Sequence, residues 1–218
     1  MFGGVMKGAR PLHYIILHLR LIKSNMKKYI LILLGIALYT QVSGQSGLKS
    51  GSQAPLFSGK DNSGKTVDLK KLLKSHKAIV LFFYRGQWCP YCNKQIKELQ
   101  DSLQLLTSKG VYVIGVTPET GENIQKTVGK TNASFSIIQD TGYQIMKAYD
   151  VNYRVDDALN AKLKSYGVDL EKNNGNTDHV LPVPATYVIA PSGRIIYVHF
   201  DKDYTKRATV GAILNSIN

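Results

Sequence analysis

The chain has 218 residues, of which 44% are hydrophobic and 20% are charged, as in ordinary globular proteins. Its formal net charge is +13, but six basic residues and no acidic ones lie in residues 1–44, which leaves 22 basic residues against 15 acidic ones. These later basic residues are scattered, whereas nucleic-acid-binding proteins cluster their charge on one face, so the charge gives no ground for a nucleic-acid partner. The presence of only two cysteines excludes a scaffold built on several disulfides.

The first 44 residues carry the features of a targeting segment. Two lysines follow Met26, an apolar stretch covers residues 29–39, and small residues at 42–44 offer a cleavage site. This is the pattern of a secretory signal peptide whose start is expected at Met26. Because a membrane span needs about 20 apolar residues, we expect cleavage, with an uncleaved membrane anchor facing outside the cytoplasm as the alternative. The sequence therefore predicts an exported protein, periplasmic or secreted, whose single domain comprises residues 45–218.

The first half of this domain begins with a strand and a helix over residues 66–75. The continuous apolar run Ala78–Tyr84 is typical of a central strand that is buried on both faces. A helix is expected from Pro90, with apolar residues at spacings of three and four, until Gly110 ends it. A second buried strand follows at Val111–Val116, so this part predicts a strand–helix–strand unit with a parallel strand pair.

The second half predicts smaller elements around an insertion. Thr117-Pro118-Glu119 indicates the start of a helix, with Thr117 as its cap and Glu119 in its first turn. Residues of about 150–180 are an insertion with a helix through Val155, Leu159, Leu163 and Tyr166 and a polar loop over Lys172–Asp178. The remaining elements are a strand (Phe135–Gln139), a helix (Tyr143–Tyr149), a β-hairpin (Thr186–Phe200) and a last helix (Thr205–Ile217). The whole predicts an α/β domain with a central mixed sheet flanked by helices.

The most informative motif is Cys89-Pro90-Tyr91-Cys92. Two thiols at this spacing can form a disulfide within one helical turn. The N-terminus of the helix has unpaired N–H groups and a partial positive charge, which stabilise a thiolate, the reactive form of cysteine. Arg85 and Lys94 could add positive potential. The motif therefore predicts a redox-active pair of thiols.

Three other roles are conceivable for the two cysteines. A structural disulfide closing four residues would stabilise the fold by only about 2 kcal/mol, against about 5 kcal/mol for a loop of 100 residues. A zinc site would need two more ligands, and the domain offers no suitable pair of histidines. Two cysteines that merely fill the core are disfavoured because Cys89 precedes the helix, where we expect it to be partly exposed.

The segment Phe83–Cys92 resembles the active-site segment of the peroxiredoxin-like branch of the AhpC/TSA family, within the thioredoxin superfamily. The resemblance spans about residues 47–218, and its other matching pieces are Gly51–Phe57, Gly115–Glu119 and Val183–Ile189 followed by Pro191-Ser192-Gly193. It implies a thioredoxin-like fold and a thiol peroxidase that reduces hydroperoxides through a cysteine sulfenic acid. It also implies a thioredoxin-like or other thiol reductant, no cofactor and no metal.

Compared with the family's pattern, the site differs in two places. The family's active-site loop has the pattern Pro-x-x-x-Thr-x-x-Cys. When it is aligned with this chain, Arg85 stands in place of the proline, Cys89 stands in place of the threonine, and Cys92 matches the peroxidatic cysteine. The family's arginine falls near Pro184, so that arginine is missing, and Arg85 is our best candidate to replace it. Trp88 and Tyr91 are expected to shape the rim of the site.

These departures resemble thioredoxin instead, since Trp88 precedes the cysteine pair and Pro184 precedes a strand. In that family the proline is cis and lies against the disulfide, the first cysteine is the exposed nucleophile and the second resolves. The resemblance therefore leaves open whether Cys89 or Cys92 attacks. It predicts either a thiol peroxidase or an extracytoplasmic thioredoxin-like thiol-disulfide oxidoreductase.

Overall fold

The structure is a computed structural model that describes residues 45–217, so the predicted targeting segment lies outside the described residues. The strands are β1 (Ser58–Lys60), β2 (Thr66–Asp68), β3 (Ala78–Phe83), β4 (Val111–Thr117), β5 (Ser136–Gln139), β6 (Asn152–Arg154), β7 (Val180–Pro182), β8 (Ala185–Ile189) and β9 (Ile195–Phe200). The α-helices are α1 (Leu69–Ser75), α2 (Pro90–Asp101), α3 (Leu103–Ser108), α4 (Gly121–Thr131), α5 (Gln144–Ala148), α6 (Asp157–Ser165), α7 (Leu170–Asn174) and α8 (Val210–Asn215).

The central sheet has five strands in the order β5-β4-β3-β8-β9. β3 pairs in parallel with β4, and β4 with β5, whereas β8 is antiparallel to both β3 and β9. All six residues of β3 are buried, as expected for a strand whose two faces are both covered. The predicted mixed sheet, the parallel unit and the hairpin are confirmed.

Two apolar layers cover the sheet because successive side chains of a strand point to opposite faces. In β3, one layer takes Ile79, Leu81 and Phe83, and the other takes Ala78, Val80 and Phe82. The second layer also contains Ile96 and Leu99 of α2 together with Cys89 and Cys92. The cysteines are therefore built into the core beneath the first turn of α2.

Two predicted helices begin later than expected. Thr117 is the last residue of β4, where it pairs with Gln139, and the cap of α4 is Thr120, whose side chain accepts from the backbone N–H of Asn123. Glu119 therefore lies in the loop before α4 and not in its first turn. The last helix begins at Val210 and not at Thr205, because Thr209 provides its cap. Residues 201–208 are thereby left as an irregular segment.

The long helix predicted from Pro90 is divided in two. Ser102 has φ −99° and ψ 5°, which ends α2, and α3 begins at the next residue. Apolar periodicity did not reveal the break because Leu99 and Leu106 are both buried on either side of it.

Residues 152–182 contain two short helices and a small antiparallel pair, β6 with β7. The helix predicted through Leu159 is present as α6, but it ends at Ser165, and Tyr166 is 72% exposed, so Tyr166 does not belong to the inner face. The polar loop predicted from Lys172 begins only after Asn174. Lys172 instead belongs to α7, which Asp169 caps and which ends at Asn174. Four buried apolar side chains form a small separate cluster here, namely Val155, Leu163, Leu170 and Leu181.

Candidate active site

The cysteine motif opens α2 as predicted. After β3, the N–H of Tyr84 still bonds the carbonyl of Val116, and a loop over residues 85–88 then leads to the helix. Cys89 is the N-cap residue, with φ −88° and ψ 110°, and its Sγ accepts from the backbone N–H of Cys92 at 3.4 Å. Pro90 is the first helical residue, where a proline loses no hydrogen bond.

Both cysteines are free thiols, and both are buried: Cys89 is 1% exposed and Cys92 is 0% exposed. The predicted exposure of Cys89 is therefore wrong. The position before the first helical turn does leave room for solvent, but the irregular segment after β9 packs over the motif and brings Arg207 against both sulfurs. A reactant must reach the thiols through this cover.

Arg207 is a residue beside the thiols that the sequence did not reveal. Its Nη2 lies 3.4 Å from the Sγ of Cys92 and 4.0 Å from the Sγ of Cys89. Its Nη1 donates to the carbonyl of Lys206 at 2.7 Å and also to the carbonyl of Tyr204. The cation beside the thiols therefore comes from a residue 115 positions beyond Cys92, where no local motif indicates it, and not from the neighbourhood of Pro184.

The pKa values of the two thiols are shifted in opposite directions. Burial opposes ionisation of Cys92, but a hydrogen bond from Cys89, the charge of Arg207 and the backbone N–H of Arg85 together lower the pKa of Cys92 below its usual value. The hydrogen bond that Cys89 gives to Cys92, followed by burial, raises the pKa of Cys89. The N–H of Cys92 and the charge of Arg85 favour charge on Cys89, but the hydrogen bond between the two side chains and burial outweigh them. These pKa directions favour Cys92 as the thiolate and Cys89 as the thiol that keeps its proton.

Three predicted site residues gather around this pair. Arg85 is 4% exposed, and its guanidinium lies 4.7 Å from the centre of the Trp88 ring and 4.4 Å from that of the Tyr204 ring. The rings of Tyr91 and Tyr204 meet edge to face at 5.8 Å, and a little under half of the surface of each residue is exposed. The side chain of Arg85 thus stacks between aromatic rings, while its backbone N–H donates a hydrogen bond to Cys92.

The resemblance to thioredoxin would make the peptide bond before Pro184 cis. The part of the chain that the structure describes contains no cis peptide bond, so Pro184 differs from thioredoxin in this respect. The N–H of Val183 bonds the carbonyl of Val151, so the chain already runs extended where it enters β8. Pro184 lines a cavity of about 300 Å³ whose other walls are Gln45, Tyr153, Leu159, Val183, Lys202 and Tyr204. This cavity adjoins the thiol site through Tyr204.

Glu119 is a second residue near the site to which the sequence gave no functional role. It is fully buried, and its Oε2 accepts from the backbone N–H of Gln87 at 2.8 Å. Burial, opposed by that hydrogen bond and reinforced by the charge of Cys92, raises the pKa of Glu119 to about 8. The site therefore contains one buried thiolate and one buried carboxyl group that is a weak acid.

Comparisons with known proteins identify the family. The profile of the AhpC/TSA family matches residues 50–198. The thiol-disulfide oxidoreductase ResA of Bacillus subtilis is 26% identical over 170 residues, which cover 76% of this chain and 75% of that protein. The chloroplastic peroxiredoxin Q of Triticum aestivum is 32% identical over 104 residues, and the match covers 48% of this chain and about half of that protein, 47%.

Solved structures share the fold. The crystal structure of the peroxidoxin BcpB of Mycobacterium tuberculosis superimposes with a TM-score of 0.59 and 16% identity, covering 78% of this chain and 94% of that one. Together with the order of the strands, this likeness confirms the predicted thioredoxin-like fold.

Proposed function

The chain belongs to the AhpC/TSA family, and we propose that it is a thiol peroxidase that reduces hydroperoxides through Cys92 and Cys89. The matching peroxiredoxins support an oxidoreductase of this class. The observation that carries the proposal is the contact of 3.4 Å between the Arg207 guanidinium and the Cys92 sulfur. A guanidinium at that distance stabilises the thiolate and can also bind an oxygen of the peroxide.

The reaction follows from the acidities of the two thiols. The Cys92 thiolate attacks the peroxide, so that an S–O bond forms as the O–O bond breaks, and the leaving alkoxide takes up a proton and departs as an alcohol. The Cys89 thiol then attacks the sulfur of the Cys92 sulfenic acid, which forms the disulfide and releases water. A thioredoxin-like or other dithiol reductant returns the pair to the reduced form by exchange.

A thiol-disulfide oxidoreductase is the second candidate function. It is favoured by the likeness to ResA, which extends over more of this chain than the likeness to peroxiredoxin Q. The burial of both sulfurs opposes it, because a protein disulfide cannot reach Cys89 unless the segment that carries Arg207 moves away. A small peroxide needs a much smaller opening.

Two assays on the reduced protein distinguish these functions. We expect hydrogen peroxide to convert the thiols to a disulfide rapidly in stopped-flow measurements, while the reduction of insulin disulfides proceeds slowly. The same preparation with both thiols alkylated is the control for each assay. Fast insulin reduction together with peroxide oxidation no faster than that of free cysteine would assign the protein to disulfide exchange.

For the N-terminus, we propose that residues 1–44 are a targeting segment, that residues 45–218 are the exported domain and that residues of about 150–180 are an insertion in it. The apolar stretch after Lys27 and Lys28 and the small residues at 42–44 support export. Among residues 45–217, no helix is long and apolar enough to cross a membrane.

We expect the mature protein to begin near Gln45, because signal peptidase cleaves after small residues such as those at 42–44. N-terminal sequencing of the protein from its native cell measures this directly. A mature protein that still begins at Met1 or Met26 would rule out cleavage and leave the membrane anchor.

A further inference from the structure

The side chain of Arg85 is buried without a polar partner. The residue is 4% exposed, and within residues 45–217 its guanidinium makes no hydrogen bond and no ion pair. Its Nε is a buried donor without an acceptor. The guanidinium lies instead between two aromatic rings, 4.7 Å from the centre of the Trp88 ring and 4.4 Å from that of the Tyr204 ring. Because a buried charge is costly unless it is paired, this position favours an anion that the described residues do not supply.

The charged groups around the thiols leave Arg85 uncompensated. The Arg207 guanidinium lies 3.4 Å from the Cys92 sulfur, so it matches the one thiolate of the site. The Oε2 of Glu119 accepts from a backbone N–H at 2.8 Å and not from a guanidinium. The acidic residues of the segment after β9 are paired with Lys206, namely Asp201 at 3.6 Å and Asp203 at 3.9 Å. Two guanidinium groups therefore accompany a single thiolate.

A cavity opens beside the guanidinium of Arg85. The Tyr204 ring that covers Arg85 also forms one wall of the cavity of about 300 Å³ that Pro184 lines. Its other walls include the apolar side chains of Leu159 and Val183. The volume lies at the lower end of the range for small-molecule sites, about 300–1,000 Å³. A small molecule in the cavity can therefore place a hydrocarbon body against these walls and an anionic group on Arg85.

The inference from these contacts rests on the proposed function and narrows its substrate. We propose that Arg85 binds the carboxylate of an organic hydroperoxide whose apolar body occupies the cavity beside Pro184. Arg207 acts on the thiolate and on the peroxide oxygens, whereas Arg85 binds a charge that the substrate carries before and after the reaction. A guanidinium suits this role, because its planar array of N–H groups matches both oxygens of a carboxylate. A neutral hydroperoxide of the same shape leaves Arg85 without a partner.

Binding of the product alcohol tests the site without any peroxide. The probe is the para-carboxylate of cumyl alcohol, and the neutral control is cumyl alcohol itself, which differs only in the carboxylate. We expect the carboxylate to bind the reduced protein about tenfold more tightly in titration calorimetry, as for a charge-assisted pair. Equal affinities would overturn the proposal. This measurement needs no variant, and because no peroxide is present its failure is distinct from a failure of the peroxidase assay.

The preference between two hydroperoxides places the carboxylate on Arg85. Stopped-flow rates are measured with cumene hydroperoxide and with its para-carboxylate, and their ratio is divided by the ratio found with free cysteine. We expect a preference of about tenfold for the carboxylate in the wild type and none in Arg85→Met, which keeps an apolar side chain between the rings. The exposed Arg154 provides the matched control, and Arg154→Met should keep the preference.

Lys202 is a second cation that the carboxylate could reach, since it is an exposed residue on the cavity wall. We expect Lys202→Met to keep most of the preference, because water and salt screen an exposed ammonium group. A preference that Lys202→Met loses and Arg85→Met keeps would overturn the proposal, and so would a wild type that reacts equally with both hydroperoxides. If Arg85→Met does not fold, the calorimetric comparison on the wild type still decides.

Discussion

Replacing Cys92 with serine is expected to abolish the reaction with hydrogen peroxide, whereas Cys89→Ser should retain a single turnover that stops at a sulfenic acid. We expect Cys92 to be the thiolate in the reduced protein, because Cys89 donates a hydrogen bond to its sulfur and Arg207 lies closer to that sulfur than to the sulfur of Cys89. Without Cys92, the remaining thiol is buried and lies 4.0 Å from the Arg207 guanidinium, so we expect it to be the poorer nucleophile toward peroxide. Without Cys89, the sulfenic acid has no thiol to condense with.

Dimedone labelling after exposure to peroxide, with the label located by peptide mass, measures both variants. The label should appear on Cys92 in Cys89→Ser, and Cys92→Ser should remain unlabelled. The double variant gives the background. Label on Cys89 in Cys92→Ser, with none on Cys92 in Cys89→Ser, would show that the attacking thiol is the thioredoxin-like one.

The same two variants also report on exchange with proteins. Cys92→Ser should form a mixed disulfide through Cys89, since the helical N–H groups still face that sulfur. We expect this reaction to be slow, because Cys89 is only 1% exposed until its cover moves. Trapping with a small disulfide and with a protein disulfide, side by side, measures the effect of the cover.

The sequence predicted the sheet well because its strands are continuous apolar runs. β3 and β4 are recognisable without any tertiary information, and Pro90 and the cysteine spacing mark the start of α2. Helix starts were harder to predict. Thr117 and Thr120 are both acceptable caps, and only the pairing of Thr117 in β4 decides between them.

Two residues of the site could not be predicted, because tertiary packing alone brings them to the thiols. Arg207 reaches the sulfurs from an irregular segment, and no motif near it differs from an ordinary basic surface loop. Glu119 was expected in the first turn of a helix, where an acidic residue is common and exposed. Because α4 begins only at Gly121, Glu119 lies in the loop before the helix, in the interior beside Gly86.

Replacing Arg207 with methionine is expected to slow the peroxide reaction at pH 7 by about 100-fold, the loss typical of removing one well-placed charge-stabilising group. Arg207→Lys should recover only part of that loss, since an ammonium group keeps the charge but cannot reproduce the planar fork. The exposed Arg154 on β6 offers a matched control, and Arg154→Met should react like the wild type.

The pH profile separates activation from mere packing. Arg207 holds the pKa of Cys92 down, so its loss raises that pKa and shifts the rate profile of Arg207→Met to higher pH. Below the raised pKa the thiol is protonated and slow, and above it the thiolate forms again and recovers part of the rate. The remaining deficit at high pH is the contribution of the guanidinium to the peroxide itself, because the nucleophile is then fully ionised in both proteins. Stopped-flow rates and ultraviolet thiolate absorbance across pH measure the two contributions. An unshifted profile with a rate within about threefold of the wild type would remove Arg207 from the mechanism and leave Cys92 activated by Cys89 and the backbone of Arg85 alone.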